Sequence, residues 1–306
     1  MTSGGSRPIP SAEVDIGVEL VVALLRSQHA DLADLPVRPF ANGWDNIMFR
    51  LGDDLAVRLP RRSAGAVLVE HEQRWLPELA DRLPLPIPAP VRVGRPGLGY
   101  RWSWSVVPWF RGTSAAETDL SDPTREARRL GDFMAALHRV APSDAPANPA
   151  RDTFAGDRTE RFEHAHRAVA GVLDELAASG AERVAHRWES LRRTERWAGP
   201  SLWVAGDVHA ANLVVTDGEI GAVIDFGDLC AGDPAVDLAI AWMLFDEPDR
   251  AVFRAAASAG FAAVDDAMWR RAEAWALYFA VLYLANSADD ARLERMGRRL
   301  VVAVLG

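Results

Sequence analysis

Apolar positions along the chain switch between helical and strand spacing, and the switches mark the elements. Ser11 and Glu13 are followed by apolar residues at Ile16, Leu20, Val21, Leu24 and Leu25, which is helical spacing. Three short β-like runs come next: Val37 to Phe40, Asn46 to Leu51 and Leu55 to Leu59. Gly52-Asp53-Asp54 supplies turn chemistry between the last two, so a hairpin is predicted there. Ser63 to Arg82 reads as a helix. Pro84, Pro86, Pro88 and Pro90 then alternate, which stops any helix and imposes an extended course. Val91 to Val93 and Trp102 to Val107 read as two further strands. Over roughly the first 110 residues the pattern predicts a small antiparallel sheet with one helix inserted.

Beyond the segment Pro108 to Gly112 the character changes. Thr124 to Val140, Thr159 to Ala178 and Ala181 to Trp197 have helical spacing, and the proline- and alanine-rich stretch Ala141 to Ala150 reads as a surface loop. A compact β-rich patch runs from Leu202 to Phe226, and helices resume from Pro234 to the end. The longest apolar run, Ala274 to Ala285, is short of the roughly 20 residues a bilayer requires and reads as a buried helix. No internal repeat is visible. The plan is a β-rich lobe, a connector and a larger helical lobe.

Composition narrows the function classes. Of 306 residues, 49% are hydrophobic and 25% charged, which suits a folded protein rather than a disordered one. A net charge of −9 argues against nucleic acid as the partner, which demands a positive field. No membrane partner is expected either. The start MTSGGSRPIP lacks an apolar signal core, and the single cysteine, Cys230, forms neither an intrachain disulfide nor a zinc-thiolate site. A cytoplasmic location is the expectation. The chain contains no lysine, so every fixed cation is an arginine; taken alone this looks like coding bias. Residues 201–306 hold 16 acidic residues against 8 arginines and carry nearly all of the negative excess. That excess fits either solvated helix faces or an acidic cleft for a cationic ligand.

The informative stretch is Leu202 to Ala239. A strand, Leu202 to Val204, delivers Asp207 on a loop, and Asn212 follows five positions later at the start of a second strand, Asn212 to Val215. Asp217-Gly218 turns the chain, and a third strand, Ala222 to Ile224, ends at Asp225-Phe226-Gly227. Two carboxylates and a carboxamide at neighbouring strand exits suit magnesium, which takes oxygen ligands and keeps waters and phosphate oxygens in its shell.

Asp207 with Asn212, followed by Asp225-Phe226-Gly227, resembles the catalytic and metal loops of the protein-kinase fold. Gly206-Asp207-Val208-His209-Ala210-Ala211-Asn212-Leu213, and then Gly232-Asp233-Pro234 with Asp237-Leu238-Ala239, are similar to the aminoglycoside phosphotransferase family of antibiotic and small-molecule kinases. The resemblance runs from about Asn42 to about Asp249. It implies an α+β, protein-kinase-like bilobal fold, with residues 1–108 as a nucleotide-binding lobe and 109–306 as a helical lobe. It implies ATP and magnesium as cofactors. Asp207 would orient the substrate hydroxyl and accept its proton, while Asn212 and Asp225 would hold the metal. One departure stands out: where the family has histidine before Gly206-Asp207, this chain has Ala205. His209 reads as a loop-packing residue rather than a catalytic one.

The same resemblance assigns the small lobe. With no lysine to grip the nucleotide phosphates, Arg58 in Leu55-Ala56-Val57-Arg58-Leu59 takes the corresponding position. Glu72, whose spacing fits better than that of Glu70, would pair with it. The turn from Ala41 to Asn46, with Gly43 and Asn46, would cover the nucleotide, and Val107 to Phe110 would be the hinge. Pro108 has no N–H, so Phe110 or a neighbour must supply the donor to the base. Asp228, Asp246 and Glu247 are the candidates for the acceptor side. For Asp246 to Asp249 a helix-start loop is the somewhat better explanation, and Asp233 and Asp237 read as caps of the helix after Pro234. The expected function is ATP-dependent O-phosphotransfer to a hydroxyl of a small molecule, a cationic antibiotic such as an aminoglycoside foremost. The alternatives are a kinase of another metabolite or a macrolide, a nucleotide-binding pseudokinase, and, least favoured, a metal-dependent hydrolase.

Overall fold

The computed structural model describes residues 11–151, 156–259, 265–287 and 290–306; the opening MTSGGSRPIP lies outside them. Helix α1 (Val18–Gln28) precedes strands β1 (Val37–Asn42), β2 (Asn46–Leu51) and β3 (Leu55–Pro60). Helix α2 (Ser63–Ala80), β4 (Arg92–Gly94) and β5 (Trp104–Pro108) complete the first lobe. The five strands form one antiparallel sheet in the order β1-β2-β3-β5-β4. The alternation of β3 decides what the sheet presents to each side. Val57 and Leu59 join Phe49, Leu51, Trp104 and Val106 in a core sealed by Val21, Leu24 and Leu25 of α1. Arg58 therefore points the other way, toward α2. The first turn of α2 is satisfied from outside, because the Ser63 amide and hydroxyl both donate to Glu13 Oε1 at 3.0 Å.

The larger lobe contains β6 (Thr113–Ser114), α3 (Pro123–Leu137), α4 (Gly156–Leu176), α5 (Gly180–Leu191), β7 (Leu202–Val204), β8 (Leu213–Thr216), β9 (Glu219–Val223) and β10 (Cys230–Gly232). It ends with α6 (Ala235–Leu238), α7 (Ile240–Leu244), α8 (Glu247–Ser258), α9 (Asp266–Ala285) and α10 (Ala291–Leu305). Strand β6 extends the β8–β9 hairpin, and β10 pairs with β7. The β8–β9 turn is the predicted one, with positive φ at both Asp217 and Gly218. The apolar run from Ala274 lies in α9, which is buried along most of its length; among the described residues no helix is long and apolar enough to cross a membrane.

Several boundaries differ from the sequence reading for local reasons. The helix predicted to reach Val140 stops at Leu137, where His138 turns inward toward Asp237. The helix predicted from Ala181 to Trp197 ends at Leu191. Asn212 does not open a strand: it closes a 3-10 turn, Ala210–Asn212, and β8 starts one residue later. Strand β9 runs from Glu219 to Val223 rather than from Ala222 to Ile224.

The acidic excess of the last third is largely structural. Asp246, Asp265 and Asp290 cap α8, α9 and α10, accepting from the amides of Asp249, Met268 and Arg292. Glu219, Asp233, Asp266 and Glu273 pair with Arg125, Arg271, Arg254 and Arg187. Asp207, Asp225 and Asp228, from the same third, instead line the cavity between the lobes.

Candidate active site

A cavity of about 610 Å³ lies between the lobes. The small lobe lends Gly43, Asn46, Arg58, Pro108 and Phe110 to its wall, and the large lobe lends Asp207, Asn212, Asp225 and Asp228. Asp246 and Glu247 are not part of it; they begin α8, Asp246 as the cap.

On the small-lobe side, the turn before β2 is closed by Gly43 N–H donating to Asn46 O at 2.9 Å. The Asn46 amide, oriented oxygen inward, accepts from Arg58 Nε and Nη2 at 3.2 and 2.9 Å. Arg58 Nη1 donates to Glu72 Oε1 at 2.5 Å, and its Nη2 lies 3.9 Å from Asp225 Oδ1. Burial opposes the charge on Arg58, but Glu72 and Asp225 outweigh it and raise its pKa, so the guanidinium stays ionised. Glu70 is exposed and accepts from Ser103 Oγ at 3.2 Å. In the hinge segment the Trp109 N–H donates to Asp54 O at 2.8 Å, and Phe110 after it lines the cavity. Trp109 is itself held, with Phe40 edge-on at 4.6 Å and the Arg50 guanidinium 4.0 Å from its ring centre.

On the large-lobe side, the loop after β7 is shaped by Gly206. Its φ is +84°, and a Cβ there would sit 2.6 Å from the Asp228 carbonyl oxygen, so only glycine fits. That close approach brings Asp207 beside Asp228. The loop is held from beneath by Asp237, which is fully buried and accepts from the Ala205 and Gly206 amides at 2.8 Å each. His138 Nε2 lies 3.1 Å from the same carboxylate. Asp237 is thus not the helix cap it was read as; Asp233 is, accepting from Ala235 N–H at 3.1 Å while it pairs with Arg271. The clamp grips backbone amides, so it draws on nothing from the side chain at Ala205.

His209 Nδ1 accepts from the Ala211 N–H, and its Nε2 lies 3.3 Å from Asn212 Nδ2 and 3.6 Å from Asp207 Oδ2. Burial alone would raise the Asp207 pKa; the neighbouring His209 and Arg151 outweigh it and hold the carboxyl below its ordinary value. Burial and the nearby Asp207 push Asp228 the other way, upward. Asn212 donates Nδ2 to the Asp207 carbonyl at 3.0 Å, so its Oδ1 is the atom left for the cavity. Asp225 sits at φ +64°, half exposed, with one carboxylate oxygen 3.3 Å from Gly227 N. Among the described residues no cluster of three or more His, Cys, Asp or Glu side chains forms a metal site. A carboxamide oxygen and a carboxylate facing an open cavity fit a hard cation that takes its remaining ligands from water and phosphate.

Two residues here carried no signal in the sequence. Asn148 Nδ2 donates to Asp228 Oδ1 at 2.6 Å, and Arg151 Nη2 reaches both Asp228 and Asp207. Asn148 belongs to the stretch Ala141 to Ala150 that reads as a surface loop, and Arg151 directly follows it.

A five-stranded lobe with a buried Arg–Glu pair, joined by a hinge to a helical lobe that presents an Asp–Asn loop and an Asp-Phe-Gly turn, is a kinase-like architecture. Solved structures agree in fold. The GDP and kanamycin complex of APH(2")-IIIa aligns over 93% of this chain and 97% of its own, at 19% identity and TM-score 0.62. Macrolide 2'-phosphotransferase MphH from Brachybacterium faecium aligns over 92% and 97%, at 23% identity and TM-score 0.60. The streptomycin–ATP complex of APH(2")-IIa covers 89% and 91%, at 17% identity and TM-score 0.57. No curated protein matches the chain in sequence. The model of the phosphotransferase enzyme family matches residues 36–275, and the chain belongs to that family.

Proposed function

We propose that this phosphotransferase moves the γ-phosphate of ATP to a hydroxyl of a small molecule, with aminoglycosides and macrolides as the first acceptors to test. The observation that carries the reading is the convergence of Arg58, Asp207, Asn212 and Asp225 on one cavity between the lobes. Arg58, fixed by Glu72 and Asn46, offers a permanent charge to the nucleotide phosphates. Gly43 and Asn46 form the turn over those phosphates, and the adenine meets the hinge at Pro108 and Phe110, with the Phe110 amide as donor. Asn212 Oδ1 and Asp225 would hold magnesium, which supplies charge neutralisation across the phosphates when bound. Asp207, ionised and oriented by its loop, accepts the hydrogen bond of the attacking hydroxyl and takes its proton as transfer proceeds. The residues do positioning and charge stabilisation rather than covalent work.

Asp207→Asn tests the assignment. Its ATP dissociation constant stays within a few-fold of the parent, while ADP release with a productive acceptor falls by roughly 10²- to 10⁴-fold. Undiminished transfer would remove Asp207 from its role. ATP binding without turnover across aminoglycosides, macrolides and amino alcohols would favour a nucleotide-binding regulator instead.

A further inference from the structure

Under the reading above, Arg58 does the work that protein kinases give to a lysine. It has a partner that a lysine could not use in the same way. Asn46 pairs with Pro60 across the β2–β3 ladder and Met48 pairs with Arg58, so Asn46 and Arg58 are diagonal neighbours on one face of the sheet. The Asn46 oxygen accepts from Arg58 Nε at 3.2 Å and from Nη2 at 2.9 Å, gripping one side of the guanidinium fork. Glu72 takes Nη1 on the other side. A lysine carries all its donors on one terminal nitrogen and has only a carbon where arginine has Nε.

The backbone that delivers Asn46 is fixed on both sides. The Arg61 N–H donates to Asp45 O at 2.9 Å, and Arg61 Nη1 donates to Gly43 O at 3.1 Å. At Gly65, in the first turn of α2, a Cβ would lie 2.7 Å from Asp45 O, so the turn packs on the helix as closely as a glycine permits. The carboxamide is therefore a built support for Arg58. Without it, the fork is restrained only at Nη1. Asp225 Oδ1, 3.9 Å from Nη2, would then draw the cation toward the metal side and compete with the phosphates for it.

We propose that Asn46 is a positioning residue for the nucleotide: its carboxamide fixes the plane of the Arg58 guanidinium and keeps it from Asp225, which lets an arginine serve where a lysine would. This rests on the phosphotransferase reading above and deepens it. Asn46 acts through Arg58, not by its own contact with the phosphates.

A double-variant cycle separates those two routes. ATP binding in magnesium buffer is measured by calorimetry for the parent, Asn46→Ala, Arg58→Lys and the pair combined. Asn46→Ala weakens ATP binding roughly ten-fold when residue 58 is arginine, the loss of hydrogen bonds to a charged group. In the Arg58→Lys background the same change stays within about two-fold. Equal losses in the two backgrounds, or an Asn46→Ala that binds ATP as the parent does, overturn the proposal. A second readout needs no nucleotide. The Arg58 Nε–H, identified by nuclear magnetic resonance through its loss in Arg58→Lys, exchanges slowly with water in the parent and fast in Asn46→Ala. Fast exchange in the parent, or no change on substitution, also overturns it. If Arg58→Lys binds no ATP, this exchange and the Asn46→Ala affinity decide together. If Asn46→Ala is too unstable to titrate, Asn46→Ser takes its place, since its short side chain withdraws the oxygen from Arg58. Coupling on ATP binding with no acceptor phosphorylated leaves Asn46 its role and removes the transfer reading. Phosphate transfer by the parent with no coupling does the reverse.

Discussion

Both oxygens of Asp237 are occupied by the amides of Ala205 and Gly206, in a site with no access to water. An asparagine of the same shape has one acceptor, and its NH₂ would face an N–H. Leaving a buried amide unsatisfied costs about 1–3 kcal/mol. The loop it releases carries Asp207, and a shift of about 1 Å in a reacting group costs on the order of 10²-fold in rate. Asp237→Asn therefore lowers stability to urea by about 2 kcal/mol and kcat by roughly 10²-fold, with ATP affinity little changed. Urea titration and steady-state kinetics on the same preparation check both; a stable variant with full kcat would make the clamp irrelevant to catalysis. A sequence reader takes Asp237 for a cap because it follows Gly232-Asp233-Pro234, where helices start. The clue against that was available: its neighbours Ala235, Val236, Leu238, Ala239 and Ile240 are all apolar, and a carboxylate on so buried a helix needs internal donors.

Strand β3 and helix α2 are joined through Arg58 and Glu72, the pair anticipated from the sequence. Removing one partner of a buried ion pair leaves the other uncompensated, a loss of about 3–5 kcal/mol in a fully sealed site. Here Asn46 and Asp225 still face Arg58, which places Glu72→Ala at the low end, about 3 kcal/mol. Because the freed guanidinium swings toward Asp225, ATP raises the melting temperature of this variant less than it raises that of the parent. Differential scanning fluorimetry with and without ATP measures the difference, and equal increments would detach the pair from nucleotide binding. The strands, the hairpin at Gly52-Asp53-Asp54 and α2 were legible because period-two alternation and turn residues are local signals. The course of the segment 141–150, and of Arg151 after it, was not. Proline and alanine mark it as a loop, and nothing local reveals that Asn148 and Arg151 fold back onto Asp228 and Asp207. Net charge was equivocal for a related reason, since it counts a capping aspartate such as Asp246 and a cavity-lining one such as Asp225 alike.

The cores of the molecule do not divide where the chain crosses the hinge. The small-lobe sheet packs its apolar face on α1, while Trp75, Leu76 and Leu79 of α2, with Leu85 and Ile87 from the proline-rich segment, belong to the core of the helical lobe. Trp75 meets Trp203 of β7 at 5.1 Å, ring centre to ring centre. The alternating prolines make sense at this scale, because an extended segment can lay Leu85 and Ile87 against the other lobe where a helix could not. Two lobes sharing so much apolar surface should not melt separately, in contrast to domains joined by a small polar interface. Thermal unfolding of the whole chain is expected to be a single transition, with far-ultraviolet circular dichroism and tryptophan fluorescence coincident. A fragment of residues 1–108 exposes that cluster and binds a hydrophobic dye instead of folding. Two resolved midpoints in the full chain, or a cooperatively folding fragment, would show that α2 is held by its own sheet and that the shared core is incidental to stability.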